Sequence, residues 1–318
     1  MIRSYDLQMG KPNLEVFAEA VAEIAERDPQ LLVVTSDSRG SGRLGGFAER
    51  APDRVVEVGI AEQNLVGISA GLAAAGKSVF AVSPASFLSA RSLEQIKNDI
   101  CYSDRPVVLI GISAGVSYGA LGSTHHSLHD FAVLRAINNI IIVAPADNWE
   151  AREAIVAAAD SEIPVYIRFG KKPLPILPRS DKFELGQARL LREGSDAAII
   201  ATGETVWRSL LAAESLSERG ISVAVLSVHT LKPLDEPLLL RVAGGVRAVV
   251  VAEEHSIHGG LGDACASVFL RHEVSPRFAV AAIPDEDTVT GTQEEILDHY
   301  GISAEGLAER VTLLLGAR

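Results

Sequence analysis

Short apolar runs alternate with longer amphipathic stretches through the first half of the chain. The apolar runs are rich in β-branched residues and apolar on both faces, which is typical of buried parallel strands. They cover Leu31–Thr35, Val55–Val58, Ser78–Val82, Val107–Ile112, Ile140–Ala144 and Val165–Arg168. Helical patterns lie between them at Asn13–Arg27, Ala61–Ala75, Ala90–Cys101, Leu128–Ile137 and Asn148–Ala159. This alternation predicts a mostly parallel, doubly wound α/β sheet.

A proline-rich segment, residues 170–180, interrupts the pattern. Its prolines at 173, 175 and 178 cannot continue a helix or a central strand, so we predict a linker at 171–185 between domains 1–170 and 186–318. The alternation then resumes, and the second half predicts another doubly wound, mostly parallel α/β domain. Its strands are predicted at Ala197–Thr202, Ser222–Ser227, Ala248–Ala252 and Phe278–Ala282. Its helices are predicted at Glu204–Arg219, Leu234–Ala243, Leu261–Arg271, Gln293–His299 and Ala304–Leu315.

The composition of the chain argues against several classes of protein. The chain has 318 residues, is 47% hydrophobic and 22% charged, and so has an ordinary globular composition with room for two cores. A net charge of -12 argues against a nucleic-acid partner, because such binding depends on Lys and Arg contacts to phosphate. Cys101 and Cys265 are too few for a disulfide framework, so we expect a reducing compartment, the cytoplasm. No apolar run is long enough to span a bilayer, and Met1–Asp6 carries no apolar signal core.

The most informative motif is the run Glu57–Asn64. The strand predicted at Val55–Val58 ends at Gly59, which places Glu62 in the first turn of the next helix, at the carboxyl edge of the sheet. Ligands bind at that edge in open α/β sheets, although a carboxylate there also complements the helix dipole. The letters G-I-A-E-Q-N, followed by the small-residue helix Leu65–Ala75, resemble the pyrimidine-binding module of thiamine-diphosphate enzymes. More narrowly, the chain resembles the C-terminal half of transketolases and 1-deoxyxylulose-5-phosphate synthases from about Asn13 onward.

This resemblance implies thiamine diphosphate as cofactor and a role for Glu62. In the family, a carboxylic acid bonded to the aminopyrimidine ring promotes the imino tautomer that removes the thiazolium proton. Burial raises a carboxyl pKa in the direction that this role needs. The resemblance also implies that Phe87, which follows the strand ending near Ser83, packs on the aminopyrimidine, although a plain core Phe is the alternative. The family's second aromatic, three residues later, is replaced here by Ala90.

The stretch Gly119–His126 resembles the family pattern G-E-D-G-x-T-H. The resemblance assigns His125 to the substrate carbonyl, where an imidazole suits proton transfer. A metal site formed by His125, His126 and His129 is a weaker interpretation, because adjacent residues point apart and no carboxylate or Cys set completes it. The family's Asp, which contacts a sugar hydroxyl, is replaced by Leu121. We therefore expect a substrate other than a standard pentose phosphate bound in the standard way.

Contacts to phosphate and cofactor are less clearly marked. By the resemblance, Lys171 stands where a phosphate-binding Arg is usual, although it could also be a solvated linker Lys. A second phosphate Arg is replaced by Leu14, with Lys11 close by. Asp37, after the first predicted strand, matches an acidic residue near the cofactor, but the Ser-Asp-Ser sequence around it also forms ordinary turns. The glycine-rich run 259–262 resembles a structural turn of the family's C-terminal domain at a subunit contact.

The sequence contains no G-D-G motif followed by Asn, through which the family holds the cofactor diphosphate and its divalent metal. We therefore expect an N-terminal transketolase subunit as partner, which would hold the magnesium, in an alpha2beta2 assembly that acts on a sugar. Two alternatives stay open. One is the beta subunit of a 2-oxo acid dehydrogenase decarboxylating component, and the other is a catalytically silent interaction subunit. Thiamine-diphosphate binding by the paired subunits would test the second.

Overall fold

The computed structural model describes residues 7–179 and 182–316. Its strands are β1 (Met9–Pro12), β2 (Leu31–Thr35), β3 (Val55–Glu57), β4 (Ser78–Pro84), β5 (Val107–Ile112), β6 (Ile141–Val143), β7 (Val165–Arg168), β8 (Pro173–Pro175), β9 (Arg189–Arg192), β10 (Ala197–Ala201), β11 (Val223–Ser227), β12 (Thr230–Lys232), β13 (Ala248–Ser256) and β14 (Arg277–Ile283). Its helices are α1 (Asn13–Arg27), α2 (Gly45–Arg50), α3 (Glu62–Ala74), α4 (Ala85–Arg91), α5 (Leu93–Gln95), α6 (Asp130–Arg135), α7 (Asn148–Ala159), α8 (Thr205–Glu218), α9 (Glu236–Gly244), α10 (Leu261–Arg271), α11 (Gln293–His299) and α12 (Ala304–Gly316). Residues 1–6, 180–181 and 317–318 lie outside the described ranges. The prediction that Met1–Asp6 carries no apolar signal core therefore concerns residues that the structure does not describe, as does part of the predicted linker.

The first sheet carries the candidate site. Within the described ranges it has seven strands in the order β12-β6-β7-β5-β4-β2-β3, and all but β12 run parallel. Strand β5 is buried along its whole length, as its continuous apolar pattern predicts. Because the strands are parallel, the loops that follow β2, β3, β4, β5 and β7 all emerge at one carboxyl edge.

The second sheet has the order β14-β13-β10-β11-β9, and only β9 is antiparallel to its neighbour. Both sheets are flanked by helices, so the predicted fold class of two doubly wound, mostly parallel α/β domains is confirmed. None of the helices in residues 7–179 and 182–316 is long and apolar enough to cross a membrane.

Strand β12 joins the two halves of the chain. It comes from the second half of the sequence but pairs antiparallel with β6 at the edge of the first sheet. It is only three residues long and Leu231 is its one apolar residue, so it does not stand out from the sequence pattern. The first sheet is therefore completed by a segment that lies beyond the predicted linker.

Two predicted elements differ in the structure. The proline-rich segment is not entirely irregular, because β8 pairs antiparallel with β1 in a small separate sheet, where every strand is an edge strand and prolines are tolerated. The helix predicted at Ala90–Cys101 is instead α4, α5 and a stretch of π-helix, Ile96–Tyr102. Ser89 and Ser92 donate hydrogen bonds to carbonyls four residues earlier, a contact that bends helices. The predicted division at 171–185 stays a prediction.

Candidate active site

Glu62 is a buried carboxylate at the carboxyl edge of the first sheet. The chain leaves β3, turns at Gly59 with a φ of +73°, and enters α3 at Glu62. Glu57 shapes this turn, because its Oε1 accepts hydrogen bonds from the backbone N–H groups of Asp37 and Gly59. Glu62 is only 2% exposed, and its Oε2 accepts a hydrogen bond of 2.6 Å from Arg91 Nη1. A buried acid is thus held at the predicted ligand edge by one cation.

Arg91 and Phe87 lie on α4, one turn apart. The Arg91 guanidinium carbon lies 4.8 Å from the centre of the Phe87 ring, so Arg91 contacts both Phe87 and Glu62. The Arg91 side chain is half-exposed, and Ala90 is exposed. Sequence reasoning missed Arg91. The i, i+4 spacing from Phe87 could have indicated that the two side chains share a helix face.

His125 lies next to Phe87, on the loop between β5 and α6. Its ring centre is 5.4 Å from Phe87 and 5.4 Å from Tyr118, and both contacts are edge-on. Lys171 Nζ lies 4.5 Å from the centre of the Tyr118 ring. Tyr118 was also missed, because it lies outside the motif that identified His125.

These contacts form one continuous series at the sheet edge, here called the edge cluster: Glu62, Arg91, Phe87, His125, Tyr118 and Lys171. The structure therefore brings together four side chains predicted from separate stretches of sequence, at positions 62, 87, 125 and 171. Within the described ranges, Lys171 forms no ion pair, so its charge is available to an anion.

Other predicted residues lie apart from the edge cluster. Asp37 is exposed after β2, and within the described ranges its side chain makes no hydrogen bond or ion pair. Leu121 is 57% exposed in the 3₁₀ turn 119–121. Leu14 is buried in the core of the first domain, and Lys11 pairs with Glu19 on α1. Within the described ranges, neither Leu14 nor Lys11 forms a hydrogen bond, ion pair or ring contact with a residue of the edge cluster.

The loop that carries His125 is hydrogen-bonded to the second domain. The Val116 N–H donates a 2.7 Å hydrogen bond to Glu254 on β13, and a Cβ at Gly115 (φ +61°) would collide with that carboxyl group. Burial raises the pKa of Glu254. Arg168 at the end of β7 donates to the Glu254 carbonyl and pairs with Asp130 at 2.8 Å. The loop therefore rests on a buried polar network between the domains.

The residues of the edge cluster fit the aminopyrimidine half of thiamine diphosphate. Arg91 contacts both the buried Glu62 carboxyl group and the partly exposed Phe87 ring, and an aminopyrimidine needs a carboxyl group for a ring nitrogen and an aromatic ring for its face. No group of three or more His, Cys, Asp or Glu in residues 7–179 and 182–316 is placed to hold a metal ion. His126 bonds to Thr288 and the Gly119 carbonyl, whereas His129 lies against Ser86 and Ser89, so the histidines serve different partners.

Comparison with known proteins identifies the family. Residues 12–176 match the family model described as "Transketolase, pyrimidine binding domain", and residues 186–307 match "Transketolase, C-terminal domain". The chain belongs to the transketolase family. The predicted recognition and enzyme class, a transketolase-type transferase subunit, are confirmed.

Individual transketolase relatives agree with this assignment. The chain is 44% identical to an apulose-4-phosphate transketolase subunit of Phocaeicola vulgatus, over 92% of this chain and 94% of the relative. It is 38% identical to a 6-deoxy-6-sulfo-D-fructose transketolase subunit of a Clostridium species, over 79% of each chain. A solved structure titled "Split gene transketolase, inactive beta4 tetramer" superposes with a TM-score of 0.87 at 35% identity, over 96% of this chain and 99% of that one.

Proposed function

We propose that this chain is the C-terminal (beta) subunit of a split thiamine-diphosphate-dependent transketolase. In this proposal the enzyme transfers a two-carbon ketol unit from a ketose donor to an aldose acceptor, and it is active only with an N-terminal subunit. The observation that carries the proposal is the edge cluster, in which the buried Glu62 carboxylate connects through Arg91 and Phe87 to His125. Relatives named as transketolase subunits, matched over nearly their whole length, support the split arrangement.

Each residue of the proposed site has a task that its position permits. Thiamine diphosphate, when bound, supplies the carbanion that attacks a carbonyl. Glu62 would hold the proton at the aminopyrimidine nitrogen, and Phe87 would pack on that ring. His125, in contact with Phe87, would move a proton at the substrate carbonyl. The diphosphate and its magnesium would be held by the partner subunit.

The proposed donor is a ketose that carries a terminal anion. Two relatives are named for apulose 4-phosphate and for 6-deoxy-6-sulfo-D-fructose, and both names include an anionic group. Lys171 extends the edge cluster past Tyr118 and provides a cation at that end of the site. Leu121 replaces a hydrogen-bonding Asp, which favours a donor other than the standard pentose phosphates. We therefore propose a ketose phosphate such as apulose 4-phosphate.

Reconstitution tests the proposed function. The purified chain, the N-terminal subunit and their mixture would each be given magnesium and thiamine diphosphate. Calorimetry would measure cofactor binding, and ketol transfer would be followed from apulose 4-phosphate, 6-deoxy-6-sulfofructose and xylulose 5-phosphate. We expect neither chain alone to be active, and the mixture to bind cofactor and to prefer apulose 4-phosphate.

Each other result contradicts part of the proposal. Full activity of this chain alone would contradict the split arrangement. Cofactor binding by the mixture without any ketol transfer would favour the silent interaction subunit. A preference for the sulfonated donor would replace the proposed phosphate but keep the proposed reaction.

A further inference from the structure

Thr288 of the second domain contacts the loop that carries His125. It lies in the segment between β14 and α11, 162 residues from His126 in sequence. Thr288 Oγ1 lies 2.8 Å from His126 Nδ1 and 3.0 Å from Ser123 Oγ, and the Thr288 N–H donates to Ser123 Oγ at 3.2 Å. One residue thus makes three polar contacts with the stretch 123–126.

Hydrogen-bond chemistry assigns every proton in this set. The Gly119 carbonyl can only accept, so His126 Nε2, 2.9 Å away, carries a hydrogen. His126 is 3% exposed and, within the described ranges, pairs with no carboxylate, so burial favours its neutral form. Nδ1 then accepts from the Thr288 hydroxyl, and the Thr288 oxygen accepts from Ser123. All partners are satisfied with a single arrangement.

The contacts of Thr288 and His126 fix both ends of the loop segment 119–126. His126 ties the loop to its own Gly119 carbonyl, so the turn that contains Leu121 is closed between them. A Cβ at Gly119 (φ +53°) would lie 3.0 Å from the Gly291 carbonyl oxygen, so the second domain approaches this turn closely. His125 and Leu121 are therefore carried on a segment whose shape depends on residues 288–292.

Thr288 itself is held firmly. The next residue, Val289, packs on the core of the second domain, and its N–H donates to the Tyr300 hydroxyl at 3.2 Å. The Tyr300 hydroxyl donates in turn to Glu286 at 3.0 Å. The segment around Thr288 in one domain and the loop in the other are joined by hydrogen bonds of the Thr288 hydroxyl and of its backbone N–H.

We propose that Thr288 is a positioning residue for the ketol-transfer site. Through His126 and Ser123 it fixes the loop that presents His125 and Leu121 to the substrate, so the C-terminal domain sets the geometry of substrate binding. This inference rests on the proposed function. It assigns no contact with substrate or cofactor to Thr288.

The test compares three variants in the complex of this chain with its N-terminal subunit. Thr288→Val keeps the shape and removes the hydroxyl, and Thr288→Ser keeps the hydroxyl. Thr312→Val removes a hydroxyl that, among the residues described, bonds only to the Ala308 carbonyl of its own helix. We expect Thr288→Val to lower kcat/KM for ketol transfer about tenfold, mainly through KM. Thr288→Ser and Thr312→Val should stay within about twofold of wild type.

Two further measurements separate positioning from general destabilisation. Amide hydrogen exchange of residues 119–126 should be faster in Thr288→Val and unchanged in Thr288→Ser. Hydrogen–deuterium exchange at the reactive carbon of the cofactor, which depends on Glu62, should be unchanged in every variant. If Thr288→Val fails to fold, Ser123→Ala provides the same measurements, with a smaller expected effect.

The possible outcomes test the role of Thr288 separately from the proposed function. An inactive wild-type complex would contradict the proposed function, and the exchange of residues 119–126 in the chain would still report on Thr288. An active wild type with unchanged kcat/KM in Thr288→Val would overturn the inference. Equal losses in Thr288→Val and Thr288→Ser would overturn it too, as would slower cofactor exchange in either variant.

Discussion

Leu121 lies where the family pattern G-E-D-G-x-T-H has an Asp. It is 57% exposed on the loop that also carries His125, so its side chain is accessible to a ligand bound beside that loop. A site that hydrogen-bonds a substrate hydroxyl discriminates strongly against ligands that lack it, whereas an apolar site discriminates weakly. Leu121 therefore provides a testable determinant of substrate choice.

We expect Leu121→Asp to raise kcat/KM for standard pentose phosphates and to lower it for the native donor. The change should be about 1–3 kcal/mol, the cost of a polar group that is left unpaired when the bound substrate covers it. The measurement is kcat/KM across ketose donors and aldehyde acceptors, with Leu313→Asp on α12 as the matched exposed control. If wild type already uses xylulose 5-phosphate and ribose 5-phosphate with ordinary transketolase efficiency, Leu121 does not determine specificity.

His126 provides a prediction about pH. Burial lowers the pKa of His126, with a smaller contribution from neighbouring His125. The unfolded chain takes up this proton near pH 6.5, but the folded chain does so only at lower pH. Folding stability from this group is therefore complete above pH 6.5 and is lost as pH falls below it.

We expect His126→Gln to weaken this dependence, because Gln can accept from Thr288 and donate to the Gly119 carbonyl without titrating. The free energy of unfolding would be measured at pH 7.5 and pH 5.5 for both proteins. A drop of equal size in wild type and variant would show that His126 does not contribute to the acid sensitivity.

At the scale of elements, a buried ion pair joins the first sheet to the loop and the second domain. Arg168 on β7 is 8% exposed and pairs with Asp130 at the start of α6, which is fully buried. The Tyr166 hydroxyl donates to the same carboxylate at 2.8 Å, and burial raises the Tyr166 pKa well above its usual value. Removal of Arg168 would leave a buried carboxylate without its cation.

We expect Arg168→Met to lower the free energy of unfolding by about 3–5 kcal/mol, the cost of breaking a buried pair. The exposed pair between Arg271 and Glu236 provides the control, because Arg271→Ala should cost less than about 1 kcal/mol. Chemical denaturation measures both variants. Equal small losses would indicate that the buried pair contributes no more than a surface pair.

The sequence predicts elements well where their signal is local. Strands such as β5 and β10 are continuous apolar runs, and their positions follow from periodicity alone. Strand β12 depends on a partner strand from the other domain, and the break between α4 and α5 coincides with serine side chains that turn back onto the backbone. Such contacts form only when the chain folds, so the hydrophobic periodicity of the sequence does not predict them.

The same division applies to the site. Glu62, Phe87 and His125 lie in short motifs that the resemblance identifies, and the structure brings them together. Arg91, Tyr118 and Thr288 lie outside those motifs and contact the site only after folding, Thr288 from the other domain. The functional roles of all these residues stay predictions that the experiments above address.

At the scale of the whole molecule, the edge cluster is open on one side. Glu62 is buried, but its partner Arg91 is half-exposed, Ile60 is 73% exposed, and Leu121 is also largely exposed. Large exposed apolar side chains beside a ligand edge are typical of a surface that another subunit covers. In the proposed split enzyme, the N-terminal subunit would cover this surface.

The central claim is that this edge activates thiamine diphosphate through Glu62 in the assembled enzyme. The most direct measurement is hydrogen–deuterium exchange at the reactive carbon of the bound cofactor, for wild type, Glu62→Gln and the exposed control Glu218→Gln on α8. We predict that Glu62→Gln folds, binds its partner and loses exchange rate by roughly 100-fold or more, the contribution of a positioned acid or base, while Glu218→Gln matches wild type. Unchanged exchange in a folded, assembled Glu62→Gln enzyme would contradict the claim.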